Sequence, residues 1–158
     1  MSELPIVRPL RPDDVPAVVA LVRGVLGEFG LRFGEGSESD AQLAGLPGSY
    51  TDHGGAFWVA TLPDGSLVGT CGVFPLQPGR HELRKMYLTE AARGHGLGHR
   101  LLEVAMNFAR AEGATEMVLD TTEQMTRAIA FYEAQGFVRD DRYISGARCS
   151  RGYQRPLR

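Results

Sequence analysis

Residues 93–98 read Arg93-Gly94-His95-Gly96-Leu97-Gly98, and they stand between an apolar strand and a long amphipathic helix. That placement says more than the glycines do. Glycines at a helix entrance let the main chain approach a ligand closely. The unpaired N–H groups of a first helical turn, with the positive end of the helix dipole, make an anion site. Arg93 adds a full charge beside it. The ligand expected there is a diphosphate, and two familiar diphosphate loops do not fit. A dinucleotide fingerprint counted from Gly94 needs a third glycine where His99 stands. A Walker loop closes on Gly-Lys-Ser/Thr, a tripeptide that the chain lacks.

The flanks complete the pattern. Upstream, Glu82-Leu83-Arg84-Lys85-Met86-Tyr87-Leu88 reads as a strand. Downstream, Leu97, Leu101, Ala105 and Phe108 recur at helical spacing, with Leu102 and Ala109 widening the stripe. This predicts a helix from about Gly96 to Glu112, ended by Gly113 as a left-handed cap. The apolar run Glu116 to Thr122 reads as a buried strand. A second helix follows from about Glu123 to Gln135, Gly136 lies past its end, and Phe137-Val138 open another strand. A helical crossover of this length joins parallel strands in the right-handed sense.

The loop Arg93-x-x-Gly96-x-Gly98 in these flanks, followed by Ala128-Ile129-Ala130-Phe131-Tyr132-Glu133-Ala134-Gln135-Gly136-Phe137, resembles the GNAT superfamily of acyl-CoA N-acyltransferases. The resemblance runs from Glu82 through Val138 and is tightest over 84–102 and 126–138. It implies that the strand before the loop parts from its neighbour, so that main-chain groups of Met86, Tyr87 and Leu88 pair with the pantetheine arm of acetyl-CoA. It implies that the N–H groups of Gly94, His95, Gly96, Leu97 and Gly98 hold the diphosphate beside Arg93. Many members carry Asn three residues before the alanine of the second signature. Met125 stands there instead, which passes that contact to Thr121 or Thr122.

Acyl transfer to an amine needs the thioester held, the ammonium deprotonated and the thiolate protonated. Tyr132 lies seven residues after Met125 and four after Ala128, on the inward face of its helix. A tyrosine with a pKa of about 10 is protonated at neutral pH, and the resemblance makes Tyr132 the general acid toward sulfur. Glu82 lies four residues before Met86 and two before Arg84, so strand alternation puts all three on one face. The resemblance to the histone-acetylating branch makes Glu82 the base, against a competing reading as a solvated strand-end carboxylate. Ordered water, or His81 next door, are the alternatives.

His95 and His99 have the i, i+4 spacing of a zinc pair, but Gly96 occupies the place of the metalloprotease glutamate and position 95 falls in the loop, so no metal is expected. Cys71, between Thr70 and Gly72 in a strand, has no activating base in sequence and reads as a buried thiol. That favours direct transfer over an acyl-enzyme.

Toward the N-terminus, Ile6 to Leu10 reads as a strand, and Arg11-Pro12-Asp13-Asp14 opens a helix with apolar positions at Val15, Val18, Val19, Val22 and Leu26, stopped by Gly27. Residues 27–55 read as a long loop with a short helix at about 39–45, and by the resemblance as a substrate lid. Residues 56–61 and 67–74 form a hairpin around Pro63-Asp64-Gly65. The order of elements is α+β: a mixed central sheet flanked by helices, in a single domain over 1–158.

The 158 residues are enough for one core, and 43% apolar with 23% charged content is ordinary for a globular protein. A net charge of −2 gives no general attraction to nucleic acid or an anionic membrane. No apolar run has the length of a transmembrane helix, the N-terminus lacks a secretory segment, and two cysteines fit a reduced cytoplasmic setting. The expectation is an acetyl-CoA-dependent N-acetyltransferase acting by direct attack of a primary amine. The acceptor is a small-molecule amine or amino-acid-like compound, with a protein acceptor also open, and a homodimer is compatible with the resemblance. The rival is a non-catalytic acyl-CoA sensor or protein-interaction module on the same fold.

Overall fold

The computed structural model describes residues 5–34 and 38–157. Its strands are β1 (Ile6–Pro9), β2 (Ala56–Thr61), β3 (Leu67–Gln77), β4 (Arg80–Leu88), β5 (Glu116–Thr121), β6 (Val138–Arg139) and β7 (Arg151–Pro156). They form one sheet in the order β1-β2-β3-β4-β5-β7-β6. Every described pairing is antiparallel except β4 with β5, the pair joined through the long helix after the glycine loop. The mixed sheet and the parallel crossover agree with the α+β expectation.

The helices are α1 (Val15–Glu28), α2 (Glu38–Ala41), α3 (Gly48–Thr51), α4 (Leu97–Ala111) and α5 (Thr126–Ala134). Two apolar clusters flank the sheet. Trp58 and Ala60 of β2 join the cluster under α4, whereas Phe57 and Val59 join the one under α1. Alternate residues of one strand point to opposite faces, so α1 and α4 cover opposite sides.

Three helix ends share one device. Gly30, Gly113 and Gly136 all have positive φ, and the next residue's N–H reaches back five positions: Leu31 to Leu26, Ala114 to Ala109, and Phe137 to Tyr132. Gly113 is where the sequence places the end of α4. Helix α1, however, continues through Gly27 to Glu28 and is closed by Gly30, because the capping turn needs a left-handed residue and Gly27 has no positive φ. Helix α5 begins at Thr126 rather than 123: the Met125 N–H is taken by the Thr122 carbonyl in a turn that precedes the helix.

Two further boundaries differ from the sequence reading. Strand β6 is two residues long and lies at the sheet edge, while β7 lies between β5 and β6. The stretch 27–55 is largely structured, with α2, a 3-10 turn over Gln42–Gly45, and α3. Leu43, Leu46 and Tyr50 anchor it in the cluster under α1. Residues 35–37 of that stretch, like residues 1–4 and 158, lie outside the described residues. Among the described residues, no helix is long and apolar enough to cross a membrane.

Candidate active site

Strands β4 and β5 pair only at Arg80 with Glu116, His81 with Met117 and Glu82 with Val118. Beyond that point both continue without bonding to each other, β4 to Leu88 and β5 to Thr121. A cleft of about 800 Å³ opens where they part. Its walls include the outer half of β4, Leu119 to Thr122, one face of α5, the glycine loop and the loop 145–149.

A bulge reshapes β4 beside the cleft. Gly72 faces Arg84 and Thr70 faces Tyr87, so Lys85 and Met86 together oppose Cys71. Lys85 has φ 53°, a left-handed conformation costly for a residue with a side chain. The Thr70 hydroxyl secures it by donating to the Lys85 carbonyl at 2.7 Å. The bulge changes the facing of the strand and corrects the sequence reading. Glu82 and Arg84 do share a face, but Met86 is turned to the other side, against the cluster under α4. Tyr87 then points toward the α1 side and Leu88 toward α4.

At the phosphate end, Gly96 caps α4 at φ 82° with no side-chain capping bond, and Gly94 has φ 81°. The first helical bond runs from the Arg100 N–H to the Gly96 carbonyl at 3.2 Å. The N–H groups of Leu97, Gly98 and His99 therefore have no partner inside the helix. Gly94, Gly96 and Gly98 line the cleft. His95 is exposed and outside the lining, and the Leu97 side chain is buried in the core, so only their main chain can serve there. Arg93 lines the cleft, but its guanidinium is committed. It donates to both Glu28 carboxylate oxygens at 2.9 and 3.0 Å and to the Leu88 carbonyl. A second cation, absent from the sequence reading, stands close by: Arg127 Nη2 lies 3.9 Å from where a Cβ on Gly94 would sit.

Thr121 and Thr122 line the cleft and are buried, and the Thr122 hydroxyl donates to the Gln124 side chain. Met125 also lines the cleft and packs in the cluster under α1. Tyr132 is 7% exposed, held edge-on between Phe131 and Phe137, and borders the cleft. No described residue hydrogen-bonds its hydroxyl, and burial pushes its pKa up. Tyr87 borders the same space, its phenol pushed up to about 12 by burial although Arg148 partly offsets this.

Glu82 lines the cleft and is 3% exposed. Burial raises its pKa, opposed by Arg84, whose Nε donates to Oε1. Arg84 is fixed by the Phe74 ring, 4.2 Å from its guanidinium carbon, and by Gln42 at 3.1 Å. His81, the alternative base, is on the opposite face of β4 beneath Phe108 and does not line the cleft. Among the described residues neither ring nitrogen has a hydrogen-bond partner, and burial lowers its pKa. Cys71 is fully buried and its thiol is pushed up by burial, which makes it unreactive. His99 contacts Gln135 at 3.1 Å and Glu103 at 3.5 Å; among the described residues no group of three or more His, Cys, Asp and Glu could hold a metal ion.

The sequence reading missed four polar residues at this end. Asp40, on α2, is 1% exposed and receives Lys85 Nζ, the Gly34 N–H at 2.7 Å, and Arg148 at 2.7 and 3.0 Å. Asp120 receives the Ser145 and Gly146 N–H groups, both at 2.7 Å, and so ties the 145–149 loop to β5. No periodicity or motif marks these positions, because most of their partners are 25 to 108 residues away.

A cleft between parting parallel strands, with a glycine loop opening a helix at one end, defines a class of acyl-CoA-using folds, and comparison with known proteins gives the family. Residues 27–137 match the family model "Acetyltransferase (GNAT) family". The uncharacterized N-acetyltransferase YjgM of Escherichia coli is 38% identical over 84% of this chain and 81% of its own. N-acetyltransferase 8B of Rattus norvegicus is 33% identical over 65% of this chain, which spans 48% of that protein's length. An acetyltransferase from Streptococcus agalactiae has the same fold, with a TM-score of 0.86 and 27% identity over 98% of this chain and 99% of that one. The chain belongs to the GNAT acetyltransferase family and is an acyltransferase.

Proposed function

We propose that this chain transfers the acetyl group of acetyl-CoA to a primary amine by direct attack, in a cytoplasmic setting. The observation that carries the reading is the cleft itself: the unpaired stretch of β4, the opening of α4, Tyr132 and Glu82 all border one space. The family supplies the donor chemistry. In this reading the main-chain groups of Met86, Tyr87 and Leu88 hold the pantetheine arm, and the amides of residues 94–98 hold the diphosphate. Arg127, beside Gly94, supplies a further charge at this end, with Arg93 bracing the loop against Glu28. Several charge-assisted hydrogen bonds of about 1.5–3 kcal/mol each make this end the main source of cofactor affinity. Thr121 and Thr122 complete the wall opposite β4.

Glu82 takes a proton from the acceptor ammonium, and burial favours it as a base by raising its pKa. The amine nitrogen bonds to the thioester carbonyl carbon, the C–S bond breaks, and the nitrogen releases its second proton to solvent. Tyr132, kept protonated by its buried position, gives its proton to the departing thiolate and recovers one from solvent. The net products are the acetamide, free CoA and one proton. Adding acetyl-CoA and a panel of primary amines and following free thiol tests this. Amine-dependent CoA release is the expected result. Binding of acetyl-CoA with no release for any amine supports the sensor reading instead.

A further inference from the structure

The acceptor end of the cleft divides its charges into two groups. On one side, the Ser145 hydroxyl lies 3.5 Å from Glu82 Oε2 and 3.3 Å from Asp120 Oδ2, so two carboxylates, one of them paired with Arg84, converge on one hydroxyl. On the other, Lys85 and Arg148 both pair with Asp40 among the described residues. The Asp40 oxygens are already occupied by Lys85, Arg148 and the Gly34 N–H. Buried charges are stable when balanced, and the two cations, not Asp40, border the cleft. The three members differ in access. Asp40 and Lys85 side chains are 0% and 4% exposed, whereas Arg148 is 17% exposed and, with Lys85, lines the cleft. Arg148 Nη1 and Nη2 both donate to Asp40, and Nη1 also to the Arg32 carbonyl at 3.3 Å, so the guanidinium is held in a fixed orientation as a preorganised fork for another carboxylate. Asp40 fixes the aim of Arg148; it does not itself face the cleft lining.

We infer that Arg148, positioned by Asp40 and backed by Lys85, is a carboxylate-binding subsite, and that the acceptor is an amine carrying a carboxylate, an amino-acid-like zwitterion with its ammonium toward Glu82 and Asp120. This rests on the acetyltransferase reading and narrows it. A polyamine or a lysine-rich peptide would bring cations against Lys85 and Arg148, which the arrangement disfavours.

The test uses matched acceptors with acetyl-CoA: phenylalanine, phenylalaninamide and phenethylamine, then the methionine and glutamate counterparts, followed by CoA release. The amino acid of at least one set is expected to exceed its amide in kcat/KM by about tenfold or more, the effect of a charge-assisted hydrogen bond, mostly through KM. In Arg148→Gln the ratio of acid to amide collapses toward one, and Arg148→Lys restores part of it. The wild-type series decides the matter even if a variant folds poorly. Equal use of acid, amide and amine, preference for the uncharged compounds, or an unchanged ratio in Arg148→Gln overturns the subsite and leaves the acetyltransferase reading standing. CoA release with none of the amines overturns both.

Discussion

Asp40→Asn is the perturbation whose size the structure sets most directly. Asp40 joins three segments that are far apart in sequence: α2, the bulge residue Lys85 on β4, and Arg148 in the 145–149 loop. Breaking a buried ion pair by removing one partner costs about 3–5 kcal/mol, because the other charge is left in a poor solvent. Two features place this case near the lower figure. Asparagine keeps one acceptor oxygen, and Arg148 is 17% exposed and partly hydrated. Lys85, 4% exposed, carries most of the loss. About 3 kcal/mol corresponds to a fall in Tm of roughly 6–12 °C for a domain of this size. The pH dependence has a definite sign. The donors around Asp40 outweigh its burial and hold its carboxyl well below the usual range. Its stabilisation is therefore complete above the ordinary carboxylate pKa of about 4 and is lost as pH falls through the lower folded value. Asp40→Asn removes that dependence. Calorimetric melting at neutral pH and at several acid values measures both effects. Adding Lys85→Met should recover part of the loss, with a coupling of about 1–3 kcal/mol. A single variant melting within about 2 °C of the parent would refute the reasoning.

Three further outcomes follow from the site and core. Tyr132→Phe lowers turnover by about 10²–10⁴, the usual worth of a general acid, while acetyl-CoA affinity by calorimetry stays close to the parent's. Glu82→Gln abolishes the acid limb of the kcat/KM profile, which in the parent lies above the ordinary glutamate range because burial raises its pKa; superimposable profiles would remove Glu82 as base. His81→Phe flattens the loss of stability on the acid side: the buried imidazole has a lowered folded pKa, so its contribution is intact above about pH 6.5 and declines below it, as urea midpoints against pH would record.

What could be read from sequence was local. Helix α4 was legible because its apolar stripe, its glycine entrance and Gly113 all belong to one continuous segment. The parallel crossover followed from the length of that helix. Tyr132 and Glu82 were placed by pattern, and they border the same cleft. The errors share a physical cause. Strand alternation put Met86 beside Glu82, but alternation fails at a bulge, and a lysine at positive φ leaves no compositional sign. His81 looked available because sequence does not tell which face of β4 meets Phe108. Gly27 looked like a stop because composition marks a glycine but not its φ. Asp40, Asp120, Ser145 and Arg148 were invisible, since their chemistry arises only when α2, β5 and the 145–149 loop come together.

The central claim is that acyl-CoA lies where β4 and β5 part, with its diphosphate on the amides that open α4. Titration calorimetry of acetyl-CoA into the purified protein and into Gly96→Ala tests it most directly. Gly96 has φ 82° with nothing within 4 Å of a Cβ, so alanine there alters the loop only through backbone strain of about 1–2 kcal/mol. The account predicts one-to-one binding, weakened about tenfold in the variant. A folded protein with no affinity for acetyl-CoA, or a Gly96→Ala variant that binds as tightly as the parent, would contradict it.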